Sequence, residues 1–355
     1  MTIGFKSALV PVFALAASVL SAAACGTRTV EVTRQVPVEV TREVGREAGS
    51  LVVYSGRSES LVAPIIKQFS EATGVKVQVK YGDTAAVAAT LLEEGSRSPA
   101  DVFFAQDPGG LGAVGALLAP LPDRLLRRVP DWARSPEGRW VGVTARARVV
   151  VYDTRSFTEQ DLPDSIRGFT APEWKGRIGW APTNASFLAM VAAMRQMWGD
   201  AETEQWVRGI QANGARSFQN NTAIVQAVGA GEIQVGFVNH YYLHRFLAEQ
   251  GESFPARNYY TRAADPGSVV LISGIGVLST AKNAANAEKF VEFMLGTVAQ
   301  QYFASQTYEH PLISGVVSAR GIPDVAGVAK PAIDVSKLSD LQGTQALLRR
   351  VGVIP

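Results

Sequence analysis

The chain has 355 residues, a length that suits two domains. Its 47% hydrophobic and 19% charged content is that of an ordinary globular protein, and a net charge of +2 leaves no large basic field for nucleic acid. No internal run is long and apolar enough to span a membrane, and neither a Gly-x-Ser-x-Gly elbow nor a His-Glu-x-x-His motif occurs, so the composition and motifs argue against an enzyme.

The N-terminus reads as a targeting segment over residues 1–24. Lys6 precedes an apolar stretch, Ala8 to Leu20, and small residues Ser21-Ala22-Ala23-Ala24 lead to Cys25. Cys25 is the only cysteine, which excludes an intramolecular disulfide. A lone Cys after such a site looks like a bacterial lipobox, with Cys25 lipidated after cleavage; an ordinary secretory signal cut near Ala24 is the alternative. Residues 25–49 hold a degenerate repeat, Val30-Glu31-Val32-Thr33-Arg34 and Val38-Glu39-Val40-Thr41-Arg42, with mixed charge and no aromatics. That composition predicts a flexible tether.

The folded part opens with a buried-type strand, Leu51 to Tyr54, and a turn, Ser55-Gly56-Arg57-Ser58. Ser58 is placed to cap a helix whose apolar positions Leu61, Val62, Ile65, Ile66 and Phe69 fit a period of 3.6. A strand from Val75 to Tyr81, a helix from Ala85 to Glu94 and a strand at Asp101 to Phe104 follow. This βαβαβ alternation predicts an α/β fold with a mainly parallel sheet. Ligands of such sheets lie beyond the carboxyl ends of the strands, which places Ser55 to Ser58 and Ala105 to Gly109 at a site edge. Tyr54 and Gln106 fall beside that edge.

On the strand Arg146 to Tyr152, residues Arg146, Arg148, Val150 and Tyr152 share one face. The two arginines either pair with surface carboxylates or reach an anion in a cleft. Asn184 and Asn221 each stand at a helix start after a strand. Such residues suit an anion and are equally the preferred caps.

Ile233 to Val238 predicts a strand, and Asn239 a cap for a helix running to about Gln250 and stopping at Gly251. Tyr241 and Tyr242 then lie about 100° apart on a helix start, so both phenols can face one cleft. Two convergent phenols suit a hard, highly charged cation such as ferric iron; the competing reading is a pair of core aromatics. Tyr259-Tyr260 is an internal control. Its extended context should send the two rings apart, which excludes it from a site. Val269 to Leu278 reads as a strand, residues 284–295 and 297–304 as helices, and Ala329 to Val351 as a partly helical tail that packs back on the fold.

Several segments together resemble one family. Tyr54-Ser55-Gly56-Arg57-Ser58, Ser98-Pro99-Ala100-Asp101-Val102-Phe103-Phe104, Glu173-Trp174-Lys175-Gly176, Asn239-His240-Tyr241-Tyr242 and Glu309-His310-Pro311-Leu312 occur in order. They look like the ferric-ion-binding proteins of bacterial ABC importers, in the type 2 periplasmic-binding-protein superfamily, over about Leu51 to the C-terminus. The resemblance implies an extracytoplasmic, monomeric, two-lobed α/β protein that takes iron in the interlobe cleft and hands it to a permease. The lobes would be 50–147 with about 270–325, and 148–269 with about 326–355. Tyr241 and Tyr242 map onto the family's tyrosine pair, and Tyr152 onto a third tyrosine found in one branch. Members often carry a His where Ser58 stands and an acidic ligand where Gln106 stands. Their absence implies the branch that uses tyrosines with an exogenous anion such as carbonate or bicarbonate.

In that reading Tyr152, Tyr241 and Tyr242 are the metal ligands. Arg57 and Arg148 clamp the anion, since a planar guanidinium grips an oxyanion bidentately. Tyr54, Ser58, Gln106, Asn184, Asn221 and Asn239 stand behind them. His240 and His244 are metal candidates by type, but His240 departs from the shared helix face and His244 lies one turn further in; His310 reads as structural. The alternative is an importer binding protein for an organic solute or oxyanion, of phosphonate, thiamine or polyamine type. A polyamine would call for carboxylates, and Asp107 is the main one near the expected cleft.

Overall fold

A computed structural model describes residues 48–335, 338 and 340–355. Cys25 and all but the last two residues of the expected tether lie outside the described residues.

Strand β1 (Ser50–Ser55) leads into helix α1 (Glu59–Thr73), β2 (Lys76–Tyr81) and α2 (Thr84–Glu94). The apolar stripe of α1 is buried as its periodicity predicts, and the helix stops at Gly74, whose φ of 73° an L side chain rarely adopts. Ser58 takes the N-cap backbone position, but its side chain makes no cap hydrogen bond and is exposed. Next come β3 (Val102–Ala105), α3 (Pro108–Ala113) and a single turn, α4 (Asp123–Leu126).

The long strand β4 (Val141–Asp153) is buried over its whole length. Then follow β5 (Ile178–Trp180), α5 (Ala185–Ala212), β6 (Arg216–Ser217), α6 (Asn221–Ala230), β7 (Val235–Asn239), α7 (Tyr241–Gln250) and β8 (Ala256–Tyr259). Helix α5 is two helical stretches joined across a kink at Gly199, whose backbone is not helical. Strand β9 (Val270–Val277), helices α8 (Ala284–Met294) and α9 (Thr297–Tyr302), the short β10 (His310–Pro311) and α10 (Leu341–Arg350) complete the chain. The C-terminal helix packs on α5, where Arg195 bonds Asp340 and Arg350 bonds Glu204.

Strand order in the sheet is β2-β1-β3-β9-β4-β7-β5-β6, with β10 and β8 also pairing β4. Strand β4 therefore serves two sets of neighbours. Its first part, through Ala147 opposite Val270, pairs β9. Its second part, from Arg148 opposite Asn239, pairs β7 antiparallel. The change of partner falls between two residues in the middle of the strand. Its inner half also carries a polar stripe, Thr144, Arg146 and Arg148, where an apolar row would be the stable default.

Candidate functional site

The site grows from that stripe. Arg57, Arg146 and Arg148 are each at most 1% exposed. Fully buried arginines are rare without partners, because removing a guanidinium from water is costly. Each of the three has a first partner and keeps two buried nitrogens that have none among the described residues: Nε and Nη1 of Arg57 and Arg146, Nε and Nη2 of Arg148.

Arg57 arrives through a tight approach. A Cβ on Gly56 would lie 2.2 Å from Thr84 Oγ1, so only glycine lets the chain pass there. Beyond it Arg57 Nη2 donates to Glu309 Oε2 at 2.8 Å, with both side chains fully buried. Glu309 Oε2 also accepts from Thr144 Oγ1 at 3.1 Å. The expected free anion clamp at Arg57 is thus half engaged by an internal carboxylate. Breaking a buried pair leaves an uncompensated charge and destabilises by about 3–5 kcal/mol. Glu309→Gln, measured by urea unfolding, is expected to lose stability of that order; a loss under ~1 kcal/mol would mean the pair is solvated.

Arg146 donates to the Gln106 carbonyl. Gln106 itself is held by its N–H donating to Thr84 Oγ1 at 3.0 Å. Asp107 caps α3 by accepting from Gly110 N at 3.1 Å. Burial pushes its carboxyl above the usual range, and the Gly110 N–H and Arg146 oppose that shift. Arg148 Nη1 donates to Asn221 Oδ1 and Asn239 Oδ1, both at 3.1 Å. Burial drags the Arg148 guanidinium down to about 9, against the pull of Tyr242 and Tyr241. Asn221 also accepts from the Asn239 N–H at 2.9 Å and donates to Asn184 Oδ1 at 3.1 Å. Asn184 caps α5. The three asparagines thus form one connected frame behind Arg148. The helix-cap role expected of Asn239 is corrected: it ends β7, its side chain turns to Arg148, and His240 takes the N-cap position of α7.

The tyrosines close the site. Tyr241 and Tyr242 stack with ring centroids 4.3 Å apart and 28° between planes. The Arg245 guanidinium lies 5.5 and 5.6 Å from the two ring centres. Burial raises the Tyr242 phenol, Tyr241 beside it adds to the rise, and Arg245 and Arg146 oppose it. The second doublet parts: Tyr259 donates to the Pro163 carbonyl at 3.0 Å, whereas the buried Tyr260 hydroxyl has no partner among the described residues.

Two expected residues are not brought to this cluster. Tyr152 shares a face with Arg148 but lies four residues further along one rigid strand, about 13 Å at the usual rise. Its phenol, raised by burial, has Glu159 and Arg257 as its charged neighbours. Tyr54 donates to Glu94 Oε1 at 3.0 Å, and burial followed by that carboxylate pushes its phenol up to about 12. Glu94 ends α2, about 15 Å along the helix from Thr84, which marks the site edge. Ser58 remains beside Arg57 but points to solvent.

Sequence reasoning missed the role of Glu309 and, having weighed Arg146 beside Arg148 as an anion contact, left Arg146 out of the assigned site. Both were visible only as residue types, Glu309 within the Glu-His-Pro-Leu segment and Arg146 in the Arg-x-Arg pair. Among the described residues no three His, Cys, Asp or Glu side chains group as a metal site, so a cation here would depend on phenols. Two cavities, about 280 Å³ beside Trp174 and about 500 Å³ beside Trp132, are lined by none of these residues.

The chain and its fold have counterparts among known proteins. A family model described as bacterial extracellular solute-binding protein matches residues 98–330. The major ferric iron-binding protein of Neisseria meningitidis serogroup B is 34% identical over 311 residues, covering 85% of this chain and 93% of that protein. Iron-bound HitA from Pseudomonas aeruginosa superposes with a TM-score of 0.80 at 33% identity, over 85% of this chain and 99% of that one. A Trichodesmium protein, IdiA or FutA, in complex with iron and citrate gives 0.77 at 29% identity, over 86% of this chain and 100% of that one. The fold is the two-lobed α/β architecture of those structures, and the chain belongs to the bacterial extracellular solute-binding protein family.

Proposed function

We propose that this chain captures ferric iron outside the cytoplasm and delivers it to an ABC permease. The reading rests on one observation above all: two stacked phenols, Tyr241 and Tyr242, face buried arginines whose nitrogens lack partners. Phenolate oxygens suit a hard trivalent cation. The arginines suit an oxyanion that completes the metal's coordination and carries the charge two phenolates leave unbalanced. Arg148 and Arg146 hold that anion, carbonate or a small carboxylate, and Arg57 borders it from its pair with Glu309. The relatives' names and the iron-bound neighbours support the cargo. The two parts that share β4 act as the lobes, and Cys25, lipidated, tethers a monomer to the membrane.

The test is optical. Ferric nitrilotriacetate added to the purified chain, with bicarbonate present, is expected to produce a visible phenolate-to-iron charge-transfer band. Removing bicarbonate, or replacing Arg148 by Ala, should weaken iron uptake by at least about 10-fold, as loss of groups behind a metal site does. Citrate is the second anion to supply. A colourless protein that takes up no iron with either anion would overturn the reading. Phosphate-ester binding by that same protein would favour the organic-oxyanion alternative, to which the three buried arginines are equally suited.

A further inference from the structure

One fully buried side chain at the site that reaches both sets of β4 neighbours is neither an arginine nor a tyrosine. It is His240. Its backbone N–H donates to the Ala147 carbonyl at 3.0 Å, and its Nδ1 accepts from the Ala147 N–H at 3.2 Å. An amide N–H can only donate, so Nδ1 carries the lone pair and Nε2 carries the proton. Nε2 then donates to the Tyr308 carbonyl at 2.8 Å. A single neutral tautomer satisfies both contacts.

The partners matter more than the bonds. Ala147 lies between Arg146 and Arg148, at the point where β4 changes neighbours. Tyr308 is a non-glycine residue at φ 60°, a left-handed conformation that persists only where its surroundings impose it. It follows a π-helical turn, Phe303–Thr307, and precedes Glu309, the partner of Arg57. The imidazole also stacks on His310, 4.3 Å between ring centres, in the strand that continues from Glu309. Tyr241 is the next residue in the chain.

We infer that His240 is a positioning residue that holds the tyrosine doublet, the arginine-bearing strand and the Glu309 segment in one register. This rests on the ferric reading given above, but its geometry can be tested without iron. Asn places an acceptor near the position of Nδ1 and cannot reach Tyr308; Gln places a donor near Nε2 and cannot serve Ala147 in the same way. In the iron-free full chain, amide hydrogen exchange over 303–311 is expected to speed up about 10-fold or more in His240→Asn and much less in His240→Gln. In the loaded chain both variants should bind iron about 10- to 100-fold more weakly, with a displaced charge-transfer band. A fall in Tm alone, with exchange over 303–311 and the band as in the parent, would overturn the inference. Should the parent chain itself remain colourless with ferric iron, the cargo reading fails, and hydrogen exchange in the two variants still decides the positioning role.

Discussion

Tyr242→Phe is expected to lower ferric-iron affinity by more than about 100-fold and to remove most of the visible band, and Tyr241→Phe to do the same. Replacing groups behind a metal ligand already lowers affinity by about 10- to 100-fold, and losing the ligand itself goes further. The substitution deletes one oxygen and leaves the ring, so the 4.3 Å stack and the start of α7 should survive. Tm is therefore expected to hold while binding collapses. Tyr152→Phe is the informative control. It removes a phenol of the same chemistry whose charged neighbours are Glu159 and Arg257, and it should leave the band and affinity unchanged. Equal losses from Tyr152→Phe and Tyr242→Phe would refute the assignment of ligands.

Acid is expected to release the metal steeply, by about 100-fold in affinity per pH unit between pH 8 and 5, because two protons return as iron leaves. The sign follows from the phenols. A phenol titrates near pH 10, and burial raises Tyr242 further, so phenol ligands keep their protons throughout this window until a cation displaces them. Binding must displace those protons, and acidification restores them. Asp107, its carboxyl raised by burial, and a carbonate anion add any protons of their own to this slope, whereas three nearby groups keep one charge state across the window. Arg148, brought down to about 9 by burial, stays cationic below pH 8. His310 and His244, both lowered by burial to about 4, stay neutral above pH 5. Competition against a chelator of known protonation, at fixed anion concentration, measures the slope. A slope of one proton or none would mean that the pair does not supply two phenolates.

The parts of this architecture that were legible in the sequence are those decided locally. Short apolar runs and a 3.6-residue stripe marked β1, α1 and β7 because each buries its own face. The doublet stood out because a helix start turns adjacent side chains to one side. The period-two rule correctly gave Arg148 and Tyr152 a common face, but a face is not a distance, and the rise of the strand separates them. Glu309 escaped notice because its partner Arg57 is 252 residues away in sequence. His240 was set aside as off the helix face, and off that face it meets Tyr308, 68 residues distant. Asn239 fitted the cap preference, yet the buried guanidinium beside it made the stronger demand for its oxygen.

Buried donors without acceptors also bear on how long the chain survives. A buried donor left without any acceptor destabilises a folded protein by about 1–3 kcal/mol, and six nitrogens of the three arginines find no acceptor among the described residues. A bound anion and metal would relieve that burden, and any ligand held only by the native state shifts the folding equilibrium further in its favour. Cargo then doubles as a stability factor. The loaded carrier is expected to resist proteases longer than the empty one, and limited proteolysis with and without ferric iron measures the difference.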